Sequence, residues 1–265
     1  MIPDMLHEFI NSLFLLYHKT FIDSPIIPVE IIFTDDLNKT HVELRPEEAV
    51  MLLQDNKQND FNGRMVIPAS INDTIHILLN TNRVNEYTQN GSMTWIGTFA
   101  HEFTHAIDFY QMARLEGLEL YLPLESASSY MMFHQWTEYH ARKCGYTFLR
   151  KYFEVTGQLL QGNDQRQYIL NTEAPRQTQL FEQDYREGSP NKRLYFVMQY
   201  LGRFSVWMDL FPQEFDELKL LHFCPDAYWM KDLLVFLRKH ETLDKIYGHF
   251  DELKDVLTEN WTFEE

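Results

Sequence analysis

The stretch 93–115 limits most strongly what this chain can fold into. It contains the run His101–His105 (HEFTH), residues 98–100 and 106–107 on either side of this run are uncharged, and no proline interrupts it. Such a stretch predicts a buried helix, with Gly117 as its C-terminal stop. His101 and His105 are four residues apart, so a helix presents both imidazole rings on one face. Two buried histidines on one face need a polar partner there.

A metal ion is the partner that this spacing favours. Catalytic zinc takes three protein ligands and keeps one position open for water. In the pattern HExxH both histidines bind the metal, and the glutamate after the first accepts a proton from the water. The sequence therefore predicts that His101 and His105 bind one Zn²⁺ ion and that Glu102 is catalytic. The competing interpretation is an ordinary helix with two solvated or core-packed histidines.

Residues 98–107 resemble the extended signature of the zincins, with Thr98 first, uncharged residues between and Ile107 last. The resemblance implies a zinc metallopeptidase, a hydrolase whose partner is a peptide or protein substrate. It also implies a helix and a small twisted sheet before the active-site helix, and an edge strand that binds extended substrate. Residues 74–80 are the predicted edge strand.

The residues after the motif point to one branch of the zincins. Metzincins need a glycine and a third histidine where this chain has Asp108 and Gln111, so that branch is excluded. The gluzincin branch takes its third ligand from a glutamate on a later helix. Glu138, 33 residues after His105, begins a Glu-x-x-Ala pattern in a helical context. Over residues 70–145 this arrangement resembles the ImmA/IrrE-like metallopeptidases, although Thr104 replaces the glycine that is common there.

Other residues compete with Glu138 for the role of third ligand. The competitors are Glu125, Glu119 and His134. Glu116 and Glu119 follow the active-site helix too closely to fold back easily. Glu138 itself has a simpler interpretation as a surface carboxylate paired with Arg142, four residues later on the same helix face.

Two supporting roles remain open in the sequence. Asp108 lies on the helical stripe of the two histidines, where it either holds a ligand ring or is an ordinary polar residue at the helix edge. A donor that stabilises the oxyanion is also expected beside the metal. Its candidates are Tyr130, Tyr139, His134 and His140, of which His134 shares the helix face of Glu138.

Charge and composition exclude several other classes of protein. The 265 residues include 23 basic and 39 acidic ones, for a net charge of −16, and no dense basic stripe. Nucleic acid and anionic membrane surfaces are therefore not expected partners. Asp4 and Glu8 stand where a signal peptide needs positive charge, and no apolar stretch is long enough to span a membrane, so we expect a cytoplasmic protein. Cys144 and Cys224 are expected to be buried free thiols.

The order of predicted elements gives an α+β fold, since strands are followed by helices. We expect a zincin-like N-terminal subdomain at residues 1–125 and a helical C-terminal subdomain at 126–265 that carries the third ligand. The predicted strands are 29–34, 41–45, 63–68 and 74–79. The predicted irregular segments are 35–38, 54–62, 85–91 and 171–192, and a short helix is expected from Pro46 to about Leu53.

Two further functions are compatible with the same motif. The helical C-terminal half carries no obvious chemistry, which favours a regulatory or interaction protein that keeps the zinc but turns over little substrate. A zinc hydrolase that acts on something other than peptides is the third hypothesis.

Overall fold

The chain is mainly helical and contains one small mixed sheet, which confirms the predicted α+β class. The structure, a computed structural model, describes residues 2–49, 61–223 and 228–258. It divides into two compact units, Met1–Ser126 with Phe148–Tyr152, and Ala127–Thr147 with Phe153–Glu265. Whether these units correspond to the subdomains expected at residues 1–125 and 126–265 stays a prediction.

The first unit contains the sheet and the HExxH helix. Its elements are α1 (Ile2–Thr20), β1 (Val29–Thr34), α2 (Leu37–Leu44), a 3₁₀ turn (Pro46–Glu48), β2 (Gly63–Val66), β3 (Ile75–Asn80), α3 (Thr81–Gln89), α4 (Trp95–Leu115) and α5 (Leu122–Glu125).

Helix α1 is amphipathic. Leu13 and Tyr17, four residues apart, are each only 2% exposed. Between them the Phe14 ring lies edge-on to Phe99 and Phe103 of α4, with centroids 5.2 and 4.9 Å apart. These aromatic contacts give α4 an apolar support on the α1 side.

The sheet of the described residues has the order β1-β3-β2, with β1 parallel and β2 antiparallel to β3. The predicted strands at 29–34, 63–68 and 74–79 are therefore present, with small differences at their ends. The predicted edge position of residues 74–80 is wrong, because β3 is the central strand. Its apolar residues on both faces suit a strand that is covered on both sides.

The two faces of the sheet contact different helices. On one face Leu78 forms a buried cluster with Val66 and Leu37 of α2. On the other face Phe33, paired in register with Leu79, lies 6.2 Å from the Trp95 ring of α4. The sheet thus supports α4 at its N-terminal end.

The second unit is helical throughout its described elements. These are α6 (Tyr130–Val155), α7 (Gly162–Tyr168), a π-helical turn (Ile169–Glu173), α8 (Ala174–Glu187), α9 (Pro190–Leu210), α10 (Glu217–Phe223), α11 (Tyr228–Lys239), α12 (Leu243–Ile246) and α13 (Phe250–Thr258). Residues 148–152 of α6 belong to the first unit.

Three segments predicted as irregular or extended are helical. Residues 41–45, predicted as a strand, lie largely in α2, which begins after Asp36; the Asp36 side chain caps it by accepting from the Lys39 amide at 2.9 Å. The predicted turn at 85–91 is mostly α3, whose N-cap is Asn80. The predicted break at 171–192 is mostly α8, since Pro175 occupies its first turn, where proline is tolerated.

Some predictions fall outside the described residues. These are the part of the predicted helix beyond residue 49, most of the loop at 54–62, and Cys224. Cys144 is a buried free thiol, as predicted. None of the described helices combines the length and the apolar character that a membrane span requires.

Candidate metal centre

Helix α4 carries the two histidines as one uninterrupted element. It begins at Trp95, two residues after the start of the predicted stretch, and Thr94 is its N-cap residue. It ends at Leu115, and Gly117, the predicted stop, follows with a φ of 67° in the left-handed region. The amides of Gly117 and Leu118 donate to the Arg114 and Ala113 carbonyls, the pair of bonds that closes a helix around such a glycine.

The rings of His101 and His105 converge on one point. Their Nε2 atoms are 3.1 Å apart, and the rings are nearly perpendicular, with centroids 4.6 Å apart. The two side chains are buried, at 6% and 7% exposure. When both protons sit on Nδ1, two lone pairs face the same volume; in the other arrangement one Nε2 donates a hydrogen bond to the other.

The separation of these nitrogens suits a shared metal ion. Two nitrogens bound to one zinc ion at about 2.0–2.1 Å, with a near-tetrahedral angle between them, lie roughly 3.3 Å apart. The 3.1 Å between the two Nε2 atoms is close to this value. The histidine pair needs little movement to become a bidentate metal site.

Glu138 of α6 completes the group. One ligand atom from each of His101, His105 and Glu138 lies within 4.8 Å of the other two, and all three side chains are buried. This group could hold a metal ion, because two imidazoles and a carboxylate are a donor set that catalytic zinc takes.

The competing candidates for the third ligand lie elsewhere. Among the described residues, His101, His105 and Glu138 form the group with metal-binding geometry. Glu116, Glu119, Glu125 and His134 are all exposed. Burial and the carboxylate of Glu48 raise the pKa of Glu125, and the charged groups that act on Glu125 are Glu48 and Arg45.

Glu138 also has a polar partner that sequence reasoning missed. The Gln199 side-chain amide of α9 donates to Glu138 Oε2 at 3.2 Å, and its carbonyl oxygen accepts from Arg142. Arg142, expected in the simpler interpretation to pair with Glu138, is thus bonded to the glutamine. No signal in the sequence links Gln199 to Glu138, which precedes it by 61 residues.

Glu102 and Asp108 differ in their surroundings. Glu102 follows His101 on α4 and is half-buried. Asp108 is completely buried on the histidine stripe. A fully buried carboxylate needs a polar or charged partner, which is consistent with the supporting role considered for Asp108.

The candidate oxyanion donors separate into two pairs. Tyr139 is buried, its hydroxyl is 2.8 Å from Ser205 Oγ, and burial raises the pKa of that hydroxyl. His140 stacks on Trp136 at 4.9 Å between centroids, and its Nε2 is 3.4 Å from Cys144 Sγ. Both side chains therefore have contacts within the second unit. Tyr130 and His134 form a separate pair, with centroids 6.1 Å apart.

Thr104, between the two histidines, links helix α4 to helix α1 through its hydroxyl. Its hydroxyl is 2.7 Å from the Tyr17 hydroxyl of α1 and 2.7 Å from the Ala100 carbonyl, to which it donates. A glycine at this position would leave the buried Tyr17 hydroxyl without that contact.

No family model, no curated protein and no solved structure matches the chain. Residues 98–107 are similar to the zincin signature, and His101, His105 and Glu138 form a buried group that could hold a metal ion.

Proposed function

We propose that this protein is a zinc-dependent metallopeptidase of the gluzincin type. The observation that carries the proposal is the buried group of His101, His105 and Glu138, whose ligand atoms lie within 4.8 Å of one another. The two histidines come from an HExxH sequence, and the glutamate comes from a later helix, as the gluzincin resemblance implies. Random clustering of ligand-type residues has no reason to follow that order.

In this proposal His101, His105 and Glu138 hold the metal, and Glu102 is the general base. When bound, zinc supplies Lewis acidity, which makes water more acidic and a carbonyl carbon more electrophilic. Glu102 takes the proton from the attacking water and passes it to the leaving amine nitrogen. Glu102 follows His101 directly on α4 and, unlike the three proposed ligands, is only half-buried.

The sheet also bears on substrate binding. An extended peptide adds to an exposed strand edge through main-chain hydrogen bonds. Since β3 is central, the antiparallel strand β2 takes the role that the sequence assigned to residues 74–80. Gly63 at the start of β2 approaches α4 closely, because a Cβ there would lie 2.9 Å from Thr98 Cγ2. In this proposal the substrate chain lies along β2, beside the HExxH helix.

Glu102→Gln tests the catalytic role. Glutamine keeps the size of the side chain but cannot accept the proton, so we expect normal zinc content and hydrolysis slowed roughly 10²- to 10⁴-fold. The assay uses the zinc-loaded protein with a mixture of fluorogenic peptides and unfolded casein. Glu116→Gln, at the exposed end of the same helix, is the matched control and keeps full activity. Equal activity in Glu102→Gln and the wild type would refute the mechanism.

A second candidate is a regulatory protein that binds zinc without turnover. The burial of all three ligand side chains favours it, because a closed site limits the access of substrate. A wild-type protein that holds one zinc ion but cleaves none of the peptides would support this candidate over the metallopeptidase.

A further inference from the structure

The carboxylate of Glu138 is held from one side by a neighbouring helix. Gln199 Nε2 lies 3.2 Å from Glu138 Oε2, and Gln199 Oε1 accepts from the Arg142 guanidinium. Both glutamine and arginine are half-buried, so water competes with these bonds less than at an open surface. The three side chains form a chain that runs from arginine through glutamine to glutamate.

The direction of the amide in this chain is fixed by chemistry. A guanidinium can only donate hydrogen bonds, and a carboxylate can only accept them. Gln199 must therefore turn its oxygen to Arg142 and its nitrogen to Glu138, since the reversed amide would lose both contacts. Arg142 thus selects the rotamer in which Gln199 serves Glu138.

The backbones of α6 and α9 approach closely where this contact forms. A Cβ on Gly202, three residues after Gln199, would lie 2.5 Å from the Tyr139 carbonyl oxygen and 3.0 Å from Arg142 Cβ. Residues three apart share a helix face, so Gln199 and Gly202 both face the 138–143 stretch of α6. The glycine allows the helices to come near enough for the glutamine amide to reach the carboxylate.

From this arrangement we propose that Gln199 is a positioning residue for the metal ligand Glu138. It holds Oε2 and restrains rotation of the carboxylate. This inference rests on the proposed function, since it assigns a role only if Glu138 is a ligand. Hydrogen bonds of this kind to metal ligands typically contribute 10- to 100-fold to metal affinity.

An ordinary interhelical glutamine is the alternative, and the chain offers a matched control for it. Gln177 of α8 is also half-buried and also accepts from an arginine, Arg203, but it donates to no residue of the metal group. Gln199→Met and Gln177→Met therefore each remove one arginine–glutamine bond. Only Gln199→Met also removes the hydrogen bond to Glu138.

The experiment compares Zn²⁺ affinity, by competition with a chelator, and the visible spectrum of the Co²⁺-loaded protein. We expect Gln199→Met to bind zinc about 10- to 100-fold more weakly and to change the cobalt spectrum, because the carboxylate loses its fixed orientation. The zinc affinity of Gln177→Met should stay within about twofold of the wild type, because a substitution far from the ligands has little effect on metal binding. Gln199→Leu, which adds no length, is the second variant if methionine disturbs the packing.

Each outcome has one meaning. Zinc affinity and a cobalt spectrum unchanged in both Gln199 variants would overturn the positioning role, while the metal site itself would stand. Equal weakening by Gln177→Met would also overturn it, since the effect would then come from general helix packing. A wild type that binds no zinc would instead refute the proposed function.

Discussion

Two buried tyrosines differ in whether the hydroxyl has a partner. The Tyr139 hydroxyl is 2.8 Å from Ser205 Oγ, within hydrogen-bonding distance. The Tyr121 hydroxyl is equally buried, but it makes no hydrogen bond within the part of the chain that the structure describes. A buried hydroxyl without a partner has lost its hydration and gained nothing in return.

Replacement of each tyrosine by phenylalanine should therefore have opposite effects on stability. We expect Tyr121→Phe to leave the free energy of unfolding unchanged or to raise it by up to about 1 kcal/mol. Tyr139→Phe leaves the Ser205 hydroxyl without this contact and should lower the free energy of unfolding by about 1–3 kcal/mol. Denaturant unfolding with a chelator present measures both without a contribution from metal. Equal destabilisation of the two variants would mean that Tyr121 has a partner after all.

At the residue level the sequence identifies the candidate ligands but not what holds them. His101 and His105 belong to a local motif, and the spacing within one helix determines their geometry. Glu138 could be chosen among several acids because it lies on a predicted helix with the matching pattern. Gln199 cannot be predicted from the sequence, since its contact with Glu138 depends on how α9 packs against α6.

Among the elements, those with a strong apolar pattern were predicted and those defined by caps were missed. β1 and α4 have long apolar runs, and their bounds are nearly as predicted. Helices α2 and α3 are short and polar, so the signals for their beginnings are Asp36 and Asn80. Each of these side chains accepts a hydrogen bond from a backbone amide of the first helical turn. Such capping residues cannot be recognised from the periodicity of apolar residues.

Gly202 tests the close approach of α6 and α9. In an ordinary helix interior, Gly→Ala raises stability by about 1 kcal/mol. At Gly202 the added Cβ would meet a carbonyl oxygen at 2.5 Å, and a backbone atom cannot move aside as a flexible side chain can. We therefore expect Gly202→Ala to lower the free energy of unfolding by about 1–3 kcal/mol, the opposite of its effect in an ordinary helix.

Thermal unfolding of the metal-free protein measures this effect. Lys192→Ala, at an exposed position of α9, is the control and should change stability by less than about 0.5 kcal/mol. A Gly202→Ala variant more stable than the wild type would show that the helices are farther apart than this contact requires.

For the whole molecule, the sequence predicts the class of fold but not the order of the strands. Helical periodicity after residue 126 and strand patterns before it are enough for an α+β fold. Strand order depends on which segments pair, and the apolar run of residues 75–79 fits a central strand as well as an edge strand that is covered by a helix. In the structure β3 is the central strand, because it pairs with a strand on each side and has buried residues on both faces.

Metal binding, finally, should change the stability of the whole protein. A ligand that binds only the folded state stabilises it, by about 4 kcal/mol at a free concentration a thousandfold above its Kd. Zinc added to chelator-treated protein should thus raise the unfolding temperature by several degrees. His101→Ala and Glu138→Ala should show no such rise, because each removes one of the three ligands.

The choice of control makes this measurement decide between the candidate ligands. His134 competed with Glu138 in the sequence and lies on the same helix, but it is exposed. His134→Ala should therefore keep both the full rise in unfolding temperature and one zinc ion by elemental analysis, in protein purified without a metal-affinity tag. Loss of the rise in His134→Ala but not in Glu138→Ala would assign the third ligand to His134. A wild type whose unfolding temperature does not respond to zinc would leave the two histidines as a hydrogen-bonded pair in the core.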